Sequence, residues 1–526
     1  MNVYSNAFNF SSYLNGSVDP RTGQYGAQIN LAQLSPEGPL EVSRSIVLLF
    51  SMFEPGRVPY GLGWRLSNTE FDLSSAQLTL ISGERFKTQG MPSVGGTMVF
   101  KDRKLKDLVV RRTNETTLHV IYRDGTIEVL ERTSSTLPYR ITSIRFENGE
   151  VFRFGYAPGG SLERILNHKQ EELLLLTYAS GRLQTADRRV EGGRYARTRF
   201  TQINDRLTGV TAPYDRSGAP GVAAYTFVYR TPFRNGLVAI ERVQTPMGGT
   251  EQINYTENGH QYGNNQFIPR VSSWTQTPGA NQPPMIRTYD YSPGQNFTGF
   301  PYAGGFKEGE DNLYLISGAY DYWTEEKSID AANNNTVLSV TRTTYNKFHL
   351  LTEKQVLREG TRSKVNITYN TLPGLFPSQP ANFQLPKTVT NRYELVAGGT
   401  SREEIQQIET DDYGNELSRT EPSGIRTEYS YYPIAGESGK CPADPHKLFQ
   451  RYLKQERLVP VGGTPTARLT EYTHTRVPQT GSSYFVLQQS SSQAGVLVMQ
   501  QTYYETPVAL AGRLKSSTST VGGQLL

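Results

Sequence analysis

Apolar and polar positions alternate along much of the chain. Tyr225-Thr226-Phe227-Val228-Tyr229 places three aromatic rings on one side of an extended segment, because successive side chains of a strand point to opposite faces. The longest apolar runs, at 46–50 and 173–176, have the length of a strand. Clusters of Asn, Asp and Gly follow these segments and supply the positive φ angles of tight turns. The pattern predicts a succession of β-hairpins.

The hairpin signal recurs at intervals. Aromatic residues at 156, 178, 200, 229 and 255 are separated by 22, 22, 29 and 26 residues, and Tyr345 and Tyr369 are 24 residues apart. Turn residues follow each aromatic, and a Leu or Ile then begins the return strand. One such unit is too small to bury a core, so the units must join edge to edge into a continuous sheet. The clearest copy, residues 410–431, contains Asp412, Gly414, Asn415, Gly424, Tyr429 and Tyr431.

These hairpins resemble the YD repeats of the Rhs family, which includes bacterial toxin-complex shells. The other matching residues are Tyr178, Gly181, Arg182, Leu183, Asp205, Arg206 and Leu207. The stretches 16–25, 38–44 and 60–64 resemble the opening of such shells. The resemblance implies an all-β fold in which hairpins form a long spiralling sheet, as a partial or complete hollow shell. It also implies that the shell encapsulates a C-terminal or partner toxin polypeptide until delivery.

The chain is predicted to have four parts. Residues 1–130 form an entry or plug-like β region, 131–435 the YD-repeat shell, 436–460 an insertion with a short helix, and 461–526 further, unfinished repeats. The Asp-Pro-x-Gly self-cleavage motif of the family has no match, so we expect a portion of a shell. The apolar stretch from Val496 to Tyr504 is expected to end on an unpaired edge that recruits another strand.

Composition supports a β protein with a large wet surface. Apolar residues make up 36% of the 526 residues and the mean hydropathy is −0.52, yet there are 32 Tyr and 22 Phe. A disordered chain has far fewer aromatics, whereas a tyrosine packs its ring and keeps its hydroxyl in contact with water. The net charge is +5 without a run of five basic residues, so nucleic-acid binding is not expected.

Neither a signal peptide nor a membrane span is visible in the sequence. We therefore expect synthesis in the cytoplasm, followed by secretion or delivery through a dedicated system. The expected partners are the toxin cargo polypeptide, the remaining part of the shell and a delivery complex. No cofactor is expected.

Catalytic residue patterns are sparse. The six histidines lack metal-ligand spacing, so no metal site is predicted. Cys441, Asp444 and His446 invite a Cys–His catalytic interpretation, but a thiol packed in a proline-rich loop is the simpler one. The chain is predicted not to be an enzyme. The main alternative is an extracellular carbohydrate- or cell-surface-binding YD module. An enzyme on a β-propeller is disfavoured, because blades are about 40 residues long.

Overall fold

A computed structural model describes residues 16–37, 42–54, 58–211, 213–218, 223–279, 282–302, 304–463, 466–479, 484–505, 511–521 and 524–525. The first strands are β1 Ser17–Asp19, β2 Gln24–Leu34, β3 Arg44–Phe50, β4 Trp64–Leu66, β5 Glu70–Asp72, β6 Gln77–Thr79, β7 Arg85–Lys87, β8 Leu108–Asn114, β9 Thr117–Tyr122, β10 Ile127–Glu131, β11 Tyr139–Arg145 and β12 Val151–Tyr156. They are followed by β13 Leu162–Leu166, β14 Glu172–Ala179, β15 Arg182–Arg189, β16 Tyr195–Ile203, β17 Arg206–Thr211, β18 Tyr214–Asp215, β19 Ala224–Tyr229, β20 Ile240–Gln244, β21 Thr250–Gly263, β22 Gln266–Thr277, β23 Met285–Tyr291 and β24 Asp321–Asp330. The remaining strands are β25 Thr336–Asn346, β26 Leu351–Arg358, β27 Thr361–Tyr369, β28 Pro386–Leu395, β29 Ser401–Thr410, β30 Glu416–Thr420, β31 Arg426–Tyr431, β32 Leu453–Val459, β33 Arg468–Pro478, β34 Tyr484–Gln493, β35 Val496–Tyr503, β36 Leu514–Val521 and β37 Gln524–Leu525.

The helical content of the described residues is limited to short 3₁₀ turns. These are Glu191–Gly193, Asn312–Leu315, Phe376–Ser378 and Val461–Gly463. The predicted all-β fold is confirmed. Across the described part of the chain, no helix has the length and apolarity needed to cross a membrane.

Strands β8 to β37 form one antiparallel ladder, in which nearly every strand pairs with the next strand along the chain. The exception is β18, which pairs with β16, so that β17 pairs with β19. The small strands β5–β7 attach to the ladder through β11. We call β5–β37 the wall.

Strands β1–β4 form a separate four-stranded sheet, which we call the plug. Its buried side chains share one hydrophobic core with those of the wall from β11 to β23. The wall therefore curves around the plug, and its plug-side face is apolar there. The sequence division at residue 130 falls inside β10, and the predicted insertion at 436–460 overlaps the long connection between β31 and β32.

The wall returns to its own start. Because the strands are antiparallel, the loops after Tyr156, Tyr178, Tyr345 and Tyr431 all lie at one end of the ladder, which we call the tyrosine end. We divide the wall into a first coil, β8–β24, and a second coil, β25–β37. Tyrosine-end turns of the second coil contact opposite-end turns of the first, as in the hydrogen bond from Lys106 N to Asp412 O. The ladder is therefore a spiral.

The predicted short helix in the insertion is wrong. Residues 447–452 form a turn and an extended segment, and Leu453–Val459 is strand β32. The Asp444 carboxylate accepts hydrogen bonds from the backbone N–H groups of Leu448 and Phe449. Lys447 has a φ of 56°, which is incompatible with a right-handed helix.

The predicted edge at 496–504 is also misplaced. Strand β35 pairs with β34 on one side and with β36 on the other. The apolar and β-prone character of this stretch reflects a strand inside the ladder.

Candidate functional site

A tyrosine marks the same point in successive hairpins of the wall. The antiparallel register shifts by one residue immediately before Tyr156, Tyr178, Tyr229, Tyr255, Tyr345, Tyr369, Tyr431 and Tyr503. For example, Thr177 pairs with Thr185 whereas Tyr178 pairs with Leu183, which leaves one extra residue on the return strand. Such a β-bulge bends the strand and increases its twist. The repeat therefore places a bend at the tyrosine end of each of these hairpins.

The hydroxyls of these tyrosines tie neighbouring strands together. Tyr178 Oη donates to the carbonyl oxygen of Leu162 at 2.6 Å, and Tyr255 Oη donates to that of Ile240 at 2.8 Å. The same bond is made by Tyr156, Tyr229, Tyr369, Tyr431 and Tyr503. Burial raises the pKa of Tyr431 to about 12, so the hydroxyl remains a donor at neutral pH.

The predicted residues of the Tyr178 copy form a tight hairpin. Gly181 has a φ of 74° in the two-residue turn between β14 and β15. Arg182 forms an exposed ion pair with Asp205 at 2.5 Å. Leu183 is buried, and its N–H donates to Pro59 O, beside the plug.

The next predicted copy has a similar turn. Asp205 has a φ of 59°, and its carbonyl oxygen accepts a hydrogen bond from Leu62 N at 2.7 Å. The Arg206 guanidinium lies over the Tyr229 ring, 5.6 Å from its centroid. Leu207 is buried in the core shared with the plug.

In the copy at 410–431, the turn is capped by a residue that the prediction missed. The Asp411 carboxylate accepts from the N–H groups of Tyr413 and Asn415 at 2.9 and 2.8 Å, whereas the predicted Asp412 forms an ion pair with Lys106 at 2.6 Å. Asp side chains commonly bond the backbone two residues ahead. That spacing was the signal which could have identified Asp411.

The other predicted residues of this copy lie at turns or beside them. Gly414 and Gly424 have φ angles of 82° and 84°, as the turn assignment requires. Tyr431 is paired with Leu453 at a bulge. Tyr429 is half-buried on the same face of β31.

The plug is anchored by polar side chains as well as by its core. Trp64 Nε1 donates to Tyr229 Oη at 2.8 Å, and Tyr25 Oη donates to Glu251 at 3.0 Å. Trp274 Nε1 donates to the same Glu251 carboxylate at 3.0 Å. The bonds of Trp64 and Tyr25 join the plug to strands that are more than 150 residues away in sequence.

The plug also contacts the start of the second coil. Arg21 Nε donates to His349 O at 3.0 Å, and its guanidinium lies over the Tyr345 ring. The buried His349 ring is held on both sides, by Tyr322 Oη at Nδ1 and by Asp311 at Nε2, each at 2.9 Å. The plug therefore spans the inside of the first coil.

Strand β10 carries a buried carboxylate, Glu128, next to the plug. Arg44 of β3 forms an ion pair with Asp124 at 3.0 Å, and its Nε lies 3.8 Å from Glu128. Thr69 also donates to Glu128. Burial raises the pKa of Glu128 to about 7.

The contact between the two coils, which we call the seam, centres on Asn415. This buried amide accepts a hydrogen bond from Arg123 Nη1 at 2.6 Å. Its Nδ2 donates to Asp411 and to Gln450 O. Asn415 thereby joins the first coil, its own turn and the insertion.

A buried charge cluster forms the next part of the seam. Arg451 binds Glu147 of the first coil at 2.5 Å and Asp444 of the insertion at 2.9 Å. All three side chains are at most 9% exposed. Burial raises the pKa of Glu147.

An apolar contact completes this region. Phe449, which is fully buried, packs with Ile121 and Ile127 of the first coil. Tyr413 lies beside Phe449, with ring centroids 6.5 Å apart. The turns of the first coil are thus covered by both polar and apolar groups of the second.

The seam continues at the end of the plug sheet. The Glu37 carboxylate pairs with Lys169 at 2.6 Å and with Arg513 of the second coil. Glu37, Glu150 and His168 each have a potential ligand atom within 4.8 Å of the others. Because two cations already occupy Glu37, this group is explained by the ion pairs of the seam.

Polar side chains occupy both faces of the second coil, and the plug-side face also carries Lys354, Arg402 and Glu404. Directly paired residues share a face, and the pairings place Ser328, Ser339, Thr341, Val356, Ser363, Val365, Asn391 and Tyr393 on the plug-side face. The outer face carries cross-strand ion pairs, including Arg392–Glu403 at 3.1 Å. Most side chains of β26–β29 are half-buried or exposed. The wall is therefore one layer thick there, and both faces are hydrated.

Cys441 is placed as a packed thiol. It is buried beside Tyr432 and Tyr452, and burial raises its pKa to about 12. The Asp444 carboxylate is engaged by Arg451 and by backbone N–H groups. A thiol with this pKa is a poor nucleophile at neutral pH. The broader expectation that the chain is not an enzyme stays a prediction.

Comparison with known proteins gives similarity to structures alone. No family model matches the chain, and no curated protein matches it. The chain is similar to a crystal structure of TcdB2-TccC3 without its hypervariable C-terminal region, at 10% identity and a TM-score of 0.28, with 94% of this chain and 24% of that chain covered. A crystal structure of TcdB2-TccC3 matches at 11% identity and a TM-score of 0.28, with 94% and 25% covered.

A smaller solved domain also matches. It is the N-terminal domain of the effector protein SpvB from Salmonella typhimurium strain LT2, at 13% identity and a TM-score of 0.13, with 66% of this chain and 95% of that chain covered. The chain spans about a quarter of the length of the two TcdB2-TccC3 chains. Superpositions as loose as these carry no inference about function.

Proposed function

We propose that the chain forms the wall and plug of a container that encloses a polypeptide. The observation that carries this proposal is the spiral itself. One antiparallel ladder curves around the plug and closes on its own start through the seam at Asn415 and Arg451. A binding module that presents one flat face has no use for such closure.

The second coil supplies the enclosing surface. Its plug-side face carries Ser, Thr, Asn and Tyr side chains together with the charged Lys354, Arg402 and Glu404. Those groups hydrogen-bond to water or to a peptide backbone without burying a core. Such a surface suits an extended or unfolded polypeptide better than a small apolar ligand, which prefers a dry and concave pocket.

The outer face suits exposure to solvent. Ion pairs such as Lys364–Glu353 at 2.6 Å and Arg457–Glu428 at 3.2 Å lie across neighbouring strands. Exposed pairs of this kind contribute little stability, but they keep a thin sheet soluble. The resemblance to YD-repeat shells makes a toxin polypeptide the proposed cargo, and the remaining part of a shell and a delivery complex the proposed partners.

Single cysteines on the two faces test the enclosure. Asn391→Cys and Thr341→Cys lie on the plug-side face, and their sequence neighbours Thr390→Cys and Val340→Cys lie on the outer face. All four positions are half-buried, and the native Cys441 is buried with a raised pKa. Each variant is treated with a small maleimide and with a maleimide on a bulky polyethylene glycol.

An enclosed face gives a specific pattern. The small reagent should label all four positions, whereas the bulky reagent should label the outer pair much faster than the plug-side pair. Equal labelling by the bulky reagent would contradict enclosure and favour the carbohydrate-binding alternative, which a glycan array then tests directly.

A further inference from the structure

The seam shows what covers the turns at the opposite end of the wall. Turns of the first coil near Lys106, Arg123 and Glu147 are each covered by a tyrosine-end loop of the second coil. Aliphatic side chains beside these turns, such as Ile121 and Ile127, are buried in the process. A tyrosine-end row of loops therefore fits onto an opposite-end row of turns.

Further along the ladder, none of the residues that the structure describes covers the opposite-end turns in this way. We call the turns at 245–249, 331–335, 359–360, 396–400, 421–425, 460–463 and 494–495 the open rim. The large apolar residues exposed on or beside it are Met247, Met285, Val337, Leu338, Leu395, Val396, Ile425, Val461, Val496 and Leu497. They are 37–89% exposed. An extended apolar row of this kind marks an interaction surface.

A recess lies on the plug-side face of the wall, beside the rim. It has a volume of about 550 Å³ and lies between the hairpins β26–β27 and β28–β29. Val356, Tyr393 and Leu395 are among its lining residues, and the last two are about half exposed. The recess offers a place for a side chain from a covering loop.

The same chain carries the matching half of this contact. The tyrosine-end turns of the first coil, at 132–138, 157–161, 180–181 and 204–205, lie at the other end of the wall, and the last two remain exposed beside the segment 58–62. Leu137 and Ile203 are exposed there, at 38% and 57%. One molecule thus presents both kinds of surface that meet inside the seam.

We propose that copies of this chain associate head to tail, with the open rim of one copy against the first-coil tyrosine-end turns of the next. The contact continues the geometry of the seam between two molecules. This association goes beyond the enclosing function, because a wall that stays monomeric would still curve around its plug.

Sedimentation velocity of the full chain tests the proposal with three variants. The rim variant carries Leu395→Lys, Val461→Lys and Val496→Lys, and the turn variant carries Leu137→Lys and Ile203→Lys. The control carries Ile405→Lys, which is 45% exposed and lies in the middle of strand β29, away from the turns at either end. Far-UV circular dichroism verifies that each variant is folded.

Wild type and control should form assemblies that grow with concentration, whereas the rim and turn variants should each be monomeric. An equimolar mixture of the rim and turn variants should form dimers and nothing larger, because only one intact contact is available per pair. A monomeric wild type would overturn the proposal in favour of a different covering chain. Assembly of either variant alone, or a mixture that stays monomeric, would also overturn it.

Discussion

At the scale of single residues, the turns depend on backbone angles that only some side chains accept. Gly424 has a φ of 84°, and a Cβ at this position would lie 2.9 Å from Val461 Cγ2. Gly414 has a similar φ, but a Cβ there would have only ordinary contacts at 3.7 Å. A side chain at Gly414 would meet backbone strain alone, whereas one at Gly424 would meet both strain and crowding.

Replacing Gly424 or Gly414 with Val should destabilise the chain by about 1–3 kcal/mol, which is the cost of forcing a β-branched residue into the left-handed region. Gly424→Val should be the more costly of the two, because crowding adds to strain. Urea denaturation measures both, with Gly414→Asn as a control that accepts positive φ more readily. Neutral results at both positions would show that the turns do not need glycine.

The raised pKa of Glu128 predicts that the stability of the chain depends on pH. Its surroundings are Arg44, Asp124, Tyr122 and Thr69, and burial raises its pKa from an ordinary value of 4.5 to about 7. The folded chain therefore holds this proton more tightly than the unfolded chain. This contribution to stability is complete below pH 4.5 and is lost as the pH rises to about 7. The shift corresponds to about 3 kcal/mol.

Glu128→Gln removes this titration while keeping the shape of the side chain. As the pH rises from 5 to 8, the unfolding free energy of wild type should fall relative to that of the variant. Thermal denaturation across this range measures it. A difference that does not change with pH would mean that Glu128 has the same pKa in both states.

At the scale of elements, the tyrosine and its bulge define each hairpin. Tyr255 lies at a bulge of β21, and its Oη donates to Ile240 O of the neighbouring strand β20. Tyr225, on the nearby strand β19, is 42% exposed. Replacing either tyrosine with Phe removes one hydroxyl, so the stabilities of the two variants can be compared directly.

Tyr255→Phe should cost about 1–3 kcal/mol, because a buried carbonyl loses its donor. Tyr225→Phe should change stability by less than about 0.5 kcal/mol, as is usual at exposed positions. Chemical denaturation compares the two variants. Equal effects would indicate that the hydroxyl bonds do not hold the hairpins.

Sequence patterns identified these elements well, but with two errors of position. In the Tyr178 copy, Tyr178 pairs with Leu183 of the return strand, where the hairpin pattern placed it. The capping role belongs to Asp411 instead of Asp412, because two adjacent Asp residues carry the same local signal. The predicted short helix in the insertion does not form, because Lys447 has a φ of 56° and the residues from Leu453 onward pair with β31 and β33.

At the scale of the whole molecule, the seam holds the spiral closed. Arg451 lies between Glu147 and Asp444, and all three are buried. Arg451→Ala leaves two carboxylates buried without their cation, which should cost about 3–5 kcal/mol. Arg182→Ala, which breaks the exposed pair with Asp205, should cost at most about 1 kcal/mol.

Hydrogen exchange locates the effect. In Arg451→Ala, the backbone amides near Glu147 and Asn415 should exchange faster than in wild type, while those of the plug strands β2 and β3 change little. Faster exchange throughout the molecule would instead show that the seam and plug unfold as one unit.

The sequence by itself determined the β-hairpins, their turns and their joining into one sheet. Those features depend on the alternation of apolar and polar residues and on nearby turn residues. Both are visible within a single repeat of 22–29 residues. Only the tertiary structure decided that the ladder closes on itself, since Arg123 meets Asn415 across 292 residues and Glu37 meets Arg513 across 476. The path of the spiral is the sum of a small bend at each bulge. The bend within one hairpin is too small to show which turns of the two coils will come into contact.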